Sequence, residues 1–195
     1  MSKKNSSWLI GAAIILFLAI VTIVTYNGLV SKDEKVKQQW AEVQNAYQRR
    51  LDLIPNVVNV VKGGAEYEQT TLQKVVEARA KATSTVTSNN ISPDNYNRQG
   101  AVQDELASAA NRLLVNVEKY PQLKGTRAFS DLQVQLEGTE RRIKVARKDF
   151  NGAIATYNSS VKSFPTNIIG SMLGFRSRDG FKSDTGADKA VEIKF

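Results

Sequence analysis

Acidic pairs recur along this chain at Glu66/Glu68, Asp104/Glu105 and Glu137/Glu140. Two carboxylates held together can divide general-acid and general-base work, or bridge two metal ions. Di-iron helical bundles draw further ligands from Glu-x-x-His repeats, and this sequence has no His. The absence of His also removes Ser-His-Asp and Cys-His chemistry. The absence of Cys removes thiol nucleophiles, disulfides and thiolate metal sites. No glycine-rich phosphate loop is present. The residues therefore predict no catalytic centre, no metal and no cofactor, and they say nothing about redox compartment.

Arg50 is the most informative charged residue. It falls in step with Val36, Val43 and Val57, so it sits on the side of a helix that should face a core. A core-facing guanidinium needs a carboxylate, and Glu137, Glu140 and Asp149 are the candidates. The preferred reading is a buried ion pair that sets helix register; the alternative is a polar ligand site in mid-bundle. The basic run Arg141, Arg142, Lys144, Arg147 and Lys148 suggests a nucleic-acid patch. Against that, Glu137–Arg141 and Glu140–Lys144 have the favourable i,i+4 order of a solvated helix face. That face also lacks aromatic platforms for stacking bases. No nucleic-acid partner is expected.

These groups must be positioned by helices. The 195 residues hold 27 Lys and Arg against 19 Asp and Glu, a net charge of +8. Four Pro and twelve Gly are few for a sandwich or barrel with many tight turns. Residues 5–31 are uncharged, and a helix over residues 8–29 would be roughly 33 Å long, enough to cross a bilayer. Trp8 and Tyr26 bracket it as interfacial rings, flanked by Lys3 and Lys4 on one side and Lys32 on the other. The apolar run is longer than a cleaved signal peptide's and has no A-x-A-like site. A single-pass anchor in a bacterial cell membrane is expected. Lys32, Lys35, Lys37, Arg49 and Arg50 after the span outnumber Lys3 and Lys4 before it, which places the rest of the chain in the cytoplasm. A short basic start before an apolar run also suits a signal-anchor with the domain outside, so sidedness stays open.

After the span, Val36, Trp40, Val43, Tyr47, Leu51, Ile54, Val58 and Val61 form a helical stripe. The stripe stays in phase past Pro55, which predicts a kink there rather than a turn. A weaker stripe over residues 66–85 predicts a second helix. Ser92-Pro93-Asp94 opens a third, with Val102, Leu106, Ala109, Leu113, Val117 and Tyr120 inward. In the fourth, Phe129, Leu136, Ile143, Phe150, Tyr157 and Phe164 recur every seven residues, with Leu132, Thr139, Ala146 and Ala153 as a second, smaller seam. Sustained sevens predict left-handed, coiled-coil-like packing.

The predicted fold is thus all-α: a transmembrane helix, then an antiparallel up-and-down four-helix bundle with its long first helix kinked at Pro55. The expected divisions are a tail at 1–7, the span at 8–29, the bundle at 30–165, an apolar segment at 166–176 and a disordered tail at 177–195. Helix four returns toward the membrane, so Ile168, Ile169, Met172, Leu173 and Phe175, followed by Arg176 and Arg178, either touch the bilayer surface or cap the bundle. In the tail, Val191, Ile193 and Phe195 alternate like a strand that could add to a partner's sheet edge.

Several stretches resemble the LemA family of bacterial membrane proteins. They include Tyr26-Asn27-Gly28-Leu29-Val30, Arg49-Arg50-Leu51-Asp52-Leu53-Ile54-Pro55-Asn56, Glu77-Ala78-Arg79 and Leu136-Glu137-Gly138-Thr139-Glu140, within about residues 26–181. The resemblance implies an N-terminal membrane helix and a four-helix domain, and no enzymatic activity. It also implies links to membrane organisation and envelope proteases. The family's usual His is missing from Lys62-Gly63-Gly64-Ala65-Glu66-Tyr67-Glu68. The functional expectation is a non-enzymatic membrane-anchored scaffold or adaptor, possible partners being the lipid bilayer, other membrane or envelope proteins, or a second copy. The alternative is a membrane-tethered sensor that binds a polar ligand at Arg50.

Overall fold

The computed structural model describes residues 3–64, 69–86, 91–117 and 125–181. Five helices follow one another: α1 (Lys3–Gly64), α2 (Gln69–Val86), α3 (Pro93–Val117), α4 (Arg127–Lys162) and α5 (Thr166–Met172). Among the described residues there is no strand. The predicted Tyr120 position and the tail residues Val191, Ile193 and Phe195 lie outside the described residues.

The predicted span and the predicted first bundle helix are one element. α1 has 62 residues, a length of about 93 Å. Its most apolar window has a mean hydropathy of 2.7 and none of it is buried, so the helix is long and apolar enough to cross a membrane. Asn27 and Gly28 weaken the helix without breaking it, and packing holds both sides of the junction: Leu29 and Val36 are both buried.

Pro55 lies inside α1 and does not end it. Proline has no N–H, so the carbonyl of Leu51, four residues earlier, loses its helical donor. Arg79 of α2 supplies the replacement: its Nε donates to Leu51 O at 3.0 Å. The Pro55 and Arg79 side chains are thereby coupled across two helices. Arg79→Ala is expected to cost about 1–2 kcal/mol, the penalty for an orphaned buried carbonyl. In a Pro55→Ala background the same change should cost almost nothing, because residue 55 again donates to Leu51. A double-mutant cycle in urea checks this; equal costs in the two backgrounds would contradict it.

α4 begins at Thr126, whose side chain accepts from Phe129 N. Its buried positions include Phe129, Leu136, Ile143, Phe150 and Tyr157, with Leu132 and Thr139 beside them. Phe164, expected to continue the heptad, falls past the end of α4 and is 81% exposed. Ile154 and Val161 carry the packing instead, because a straight helix drifts from a strict seven-residue repeat.

α1 and α4 run antiparallel. Arg50 meets Glu140 and Tyr47 meets Arg147, and just past the end of α4 Leu29 meets Gly170 of α5. The core divides in two. One cluster combines Leu51, Ile54 and Val61 of α1 with α2, the later part of α3 and the start of α4. The other combines Leu29, Trp40 and Tyr47 with Tyr96 and the later part of α4. Between them lie the buried polar residues Arg50, Gln99, Gln103 and Thr139.

α5 ends on Gly174, whose φ of 84° is open to glycine and strained for other residues. Phe175 N donates to Gly170 O at 2.9 Å and Gly174 N to Ser171 O at 3.3 Å, the paired bonds of a Schellman stop. The chain then turns back along α4. The sequence pattern starts the tail at Ser177, but residues 178–181 are packed on the helices. Asn158 exchanges two hydrogen bonds with the Arg178 backbone, at 2.7 and 2.8 Å, and Asn151 Oδ1 accepts from Phe181 N at 2.9 Å. The helix side chains satisfy a polar strap whose own composition gives it no periodicity.

Candidate functional site

The polar layer is built on Arg50, which is 1% exposed. Its Nη1 donates to the backbone O of Gln103 at 2.7 Å and to Gln103 Oε1 at 3.1 Å. Its Nη2 donates to Glu140 Oε2 at 2.5 Å. One guanidinium therefore joins α1, α3 and α4. Of the three carboxylates considered for Arg50, the structure brings Glu140 to it. Glu137 is exposed and accepts from Gln133 at 3.2 Å. Asp149 is also exposed and lines a surface groove with Glu42, Arg49 and Arg142. Arg50 Nε, Gln103 Nε2 and Glu140 Oε1 are buried without a hydrogen-bond partner among the described residues.

A second cross-link lies on the membrane side of this layer. Arg147 donates to Tyr47 Oη at 2.8 Å and pairs with Asp104 at 2.9 Å. It belongs to the packing between helices rather than to the solvated run of Arg141, Arg142, Lys144 and Lys148, which are exposed. Burial acts to lower the Arg147 pKa, but Tyr47 and the Asp104 carboxylate outweigh it and the value is raised. Asp104, read as half of an acid pair, is thus an ion-pair partner; Glu105 pairs with Lys81 at 2.5 Å.

Beyond Arg147 the rings of Trp40, Tyr96, Phe150 and Phe181 pack together, with centroids 5.3–6.1 Å apart. Tyr96 Oη donates to the backbone O of Asp179, fastening the strap. Sequence reasoning missed Gln103, Tyr96, Asn151 and Asn158. The one available signal was Asn151 and Asn158 seven residues apart beside the packed face of α4.

Burial pushes the Tyr96 phenol from its ordinary 10.0 up to about 12, and the Asp179 carboxylate adds to this. Burial also raises Tyr47, against the lowering effect of Arg147. The folded state holds these protons more tightly than the unfolded chain. The resulting stability is fully present below about pH 10 and is lost as pH rises from there through about 12. Thermal unfolding across this range should show a fall that Tyr96→Phe reduces; an unchanged alkaline slope would contradict the assignment.

At the membrane end, Trp8 and Tyr26 are exposed and Lys32 is half-buried. The side chains of Lys3 and Lys4 lie outside the described residues. Ile168, Met172, Leu173 and Arg176 are exposed, while Ile169 and Phe175 are half-buried. Phe175 meets the Tyr26 ring edge-on at 5.9 Å. Arg178 turns inward: it pairs with Asp33 at 2.7 Å and lies over the Tyr157 ring. This leaves Arg176 as the exposed cation of the two.

The class so defined is a helical protein with an N-terminal helix able to cross a membrane and a cross-linked helical domain built onto it. The chain belongs to the LemA family, whose model matches residues 39–195. It is 22% identical over 197 residues to magnetosome protein MamQ 2 of Paramagnetospirillum magneticum, covering 92% of this chain and 72% of that one. It is 21% identical over 211 residues to magnetosome protein MamQ of Magnetospirillum gryphiswaldense, covering 98% and 78%. It is 22% identical over 166 residues to protein LemA of Metamycoplasma hominis, covering 82% and 73%.

Proposed function

We propose that this protein is a non-enzymatic, membrane-anchored scaffold or adaptor that takes part in membrane organisation or envelope protein quality control. One observation carries the reading: α1 continues without a break from the apolar window into the packed core. A domain joined to its span by a continuous helix is held at a fixed height and angle to the bilayer. That suits a platform better than a tethered domain that must search for substrate. The names of the relatives, magnetosome protein and LemA, specify no reaction.

In this reading α1–α4 form an up-and-down bundle, α1 bends at Pro55, and α4 packs in coiled-coil fashion. The protein crosses a bacterial cell membrane once, with the domain on the cytoplasmic side as the Lys and Arg excess directs. An impermeant thiol reagent on a Val115→Cys variant tests the side, since the natural chain has no other thiol. Protection until lysis supports the cytoplasmic placement. Partners are other membrane or envelope proteins, a second copy included. Extraction in several mild detergents followed by native mass measurement should give a stable oligomer or a defined complex with a membrane protein. A monomer alone in every detergent would overturn the scaffold reading.

The sensor reading has one observation in its favour, the unpartnered buried atoms of Arg50, Gln103 and Glu140. It requires that Arg50→Met keep the fold and lose a ligand-dependent shift in melting temperature. Loss of stability with no such shift in the natural protein supports the register role of Arg50 instead.

A further inference from the structure

Exposed apolar side chains stand on both sides of the place where α5 packs on α1. Phe164, Ile168 and Met172 recur every four residues, and Phe164 and Met172 are 81% and 82% exposed. Ile23 and Val24 of α1 are exposed as well. Residues 163–175 carry no charge and are bounded by Lys162 and Arg176.

The height of this surface is fixed by packing. Gly170 lies against Leu29: a Cβ there would stand 3.2 Å from Leu29 Cδ1. The Phe175 ring meets Tyr26. Tyr26 and Leu29 are the last ring and the last apolar residue of the stretch read as the span. After Val30 come the polar and charged residues Ser31, Lys32 and Asp33. A segment clamped to residues 26–29 therefore sits at the level where hydrocarbon gives way to headgroups.

We propose that α5, with Phe164 just before it, is a second membrane foot, and that the Phe164, Ile168 and Met172 side chains enter the interfacial layer of the bilayer that α1 crosses. Lipid is the occupant that fits because the segment packs on Tyr26 and Leu29, at the end of a span whose own apolar side chains, Ile23 and Val24 among them, are exposed. At only seven residues, α5 is too short to cross by itself. Lys162 and Arg176, which bound the uncharged stretch 163–175, meet the headgroup layer, where anionic lipid strengthens the contact. Two attachment points prevent the domain from rotating about the α1 axis. The inference rests on α1 spanning the membrane, and its test separates the two claims.

The full chain is reconstituted in phosphatidylcholine vesicles with and without phosphatidylglycerol, carrying one environment-sensitive fluorophore on a cysteine. The positions are Met172→Cys on α5, Leu16→Cys in the span and Val134→Cys on the exposed face of α4. Nitroxide lipids, labelled shallow or deep, serve as quenchers. The Met172 probe should be blue-shifted and lose most of its emission to the shallow quencher, more so with phosphatidylglycerol. The Leu16 probe should respond to the deep quencher and the Val134 probe to neither. A Met172 probe that behaves like Val134 overturns the foot while a quenched Leu16 probe leaves the span intact. If Leu16 also escapes quenching, both claims fail. A blue-shifted Met172 probe that no lipid quenches would mean a protein covers this surface, and would overturn the lipid assignment.

Discussion

Replacing Glu140 by leucine is expected to destabilise the domain by about 3–5 kcal/mol, more than replacing its partner Arg50 by methionine. The asymmetry follows from burial. Arg50 is 1% exposed and Glu140 is 36% exposed. Removing the carboxylate strands a guanidinium in the interior, where its charge has no counterion. Removing the guanidinium strands a carboxylate on a side chain that is partly exposed and can turn toward water, and its cost should be about 1–3 kcal/mol. Joining the two changes should recover most of the loss, since an apolar pair can replace an ion pair of similar volume. Urea unfolding of the four proteins in mild detergent measures all three quantities. Equal single-variant costs, or a double variant as unstable as the sum, would contradict the geometry. The pair ties three helices together, so the recovered stability need not restore one unique register. Sharp, dispersed amide signals in the double variant would show that register survives without it.

Phe150→Ala should cost about 3–5 kcal/mol, as for other fully buried aromatic residues. Phe150 is wholly buried and touches Trp40, Tyr96 and Phe181. The damage should reach past α4, because Phe181 holds the strap and Tyr96 holds Asp179. Trp40 reports on it directly: the chain has two Trp, and a Trp8→Phe change leaves Trp40 as the sole emitter. Its emission should move to the red in Phe150→Ala as water enters. Phe181→Ala should shift the emission less and should mainly free residues 175–181 to exchange. Unchanged Trp40 emission in Phe150→Ala would refute the packing described for this cluster.

The α1 stripe was legible to the residue, since Val36, Trp40, Val43, Tyr47, Leu51, Ile54, Val58 and Val61 are all buried. Apolar residues at helical spacing report a buried face directly. The inward place of Arg50 was legible for the same reason. Its choice of Glu140 over Glu137 was not, because neighbouring turns of α4 offer carboxylates within similar reach. The role of Pro55 was half legible: the phase showed that the helix continues, but the Arg79 bond depends on where α2 docks. The strap at residues 175–181 was hidden because polar backbone held by Asn151 and Asn158 leaves no periodic trace. The joining of the apolar stretch and the packed stretch after it into one helix was missed because composition changes at Ser31 while the backbone does not.

Hydrogen exchange across residues 26–40 of the full chain in lipid nanodiscs tests the continuous helix directly. Buried Leu29, Val36 and Trp40 and unbroken helical bonding predict slow exchange at every amide from the span into the core. Fast exchange confined to residues 30–35 would reveal a flexible linker, and a domain hung on such a linker is no fixed platform.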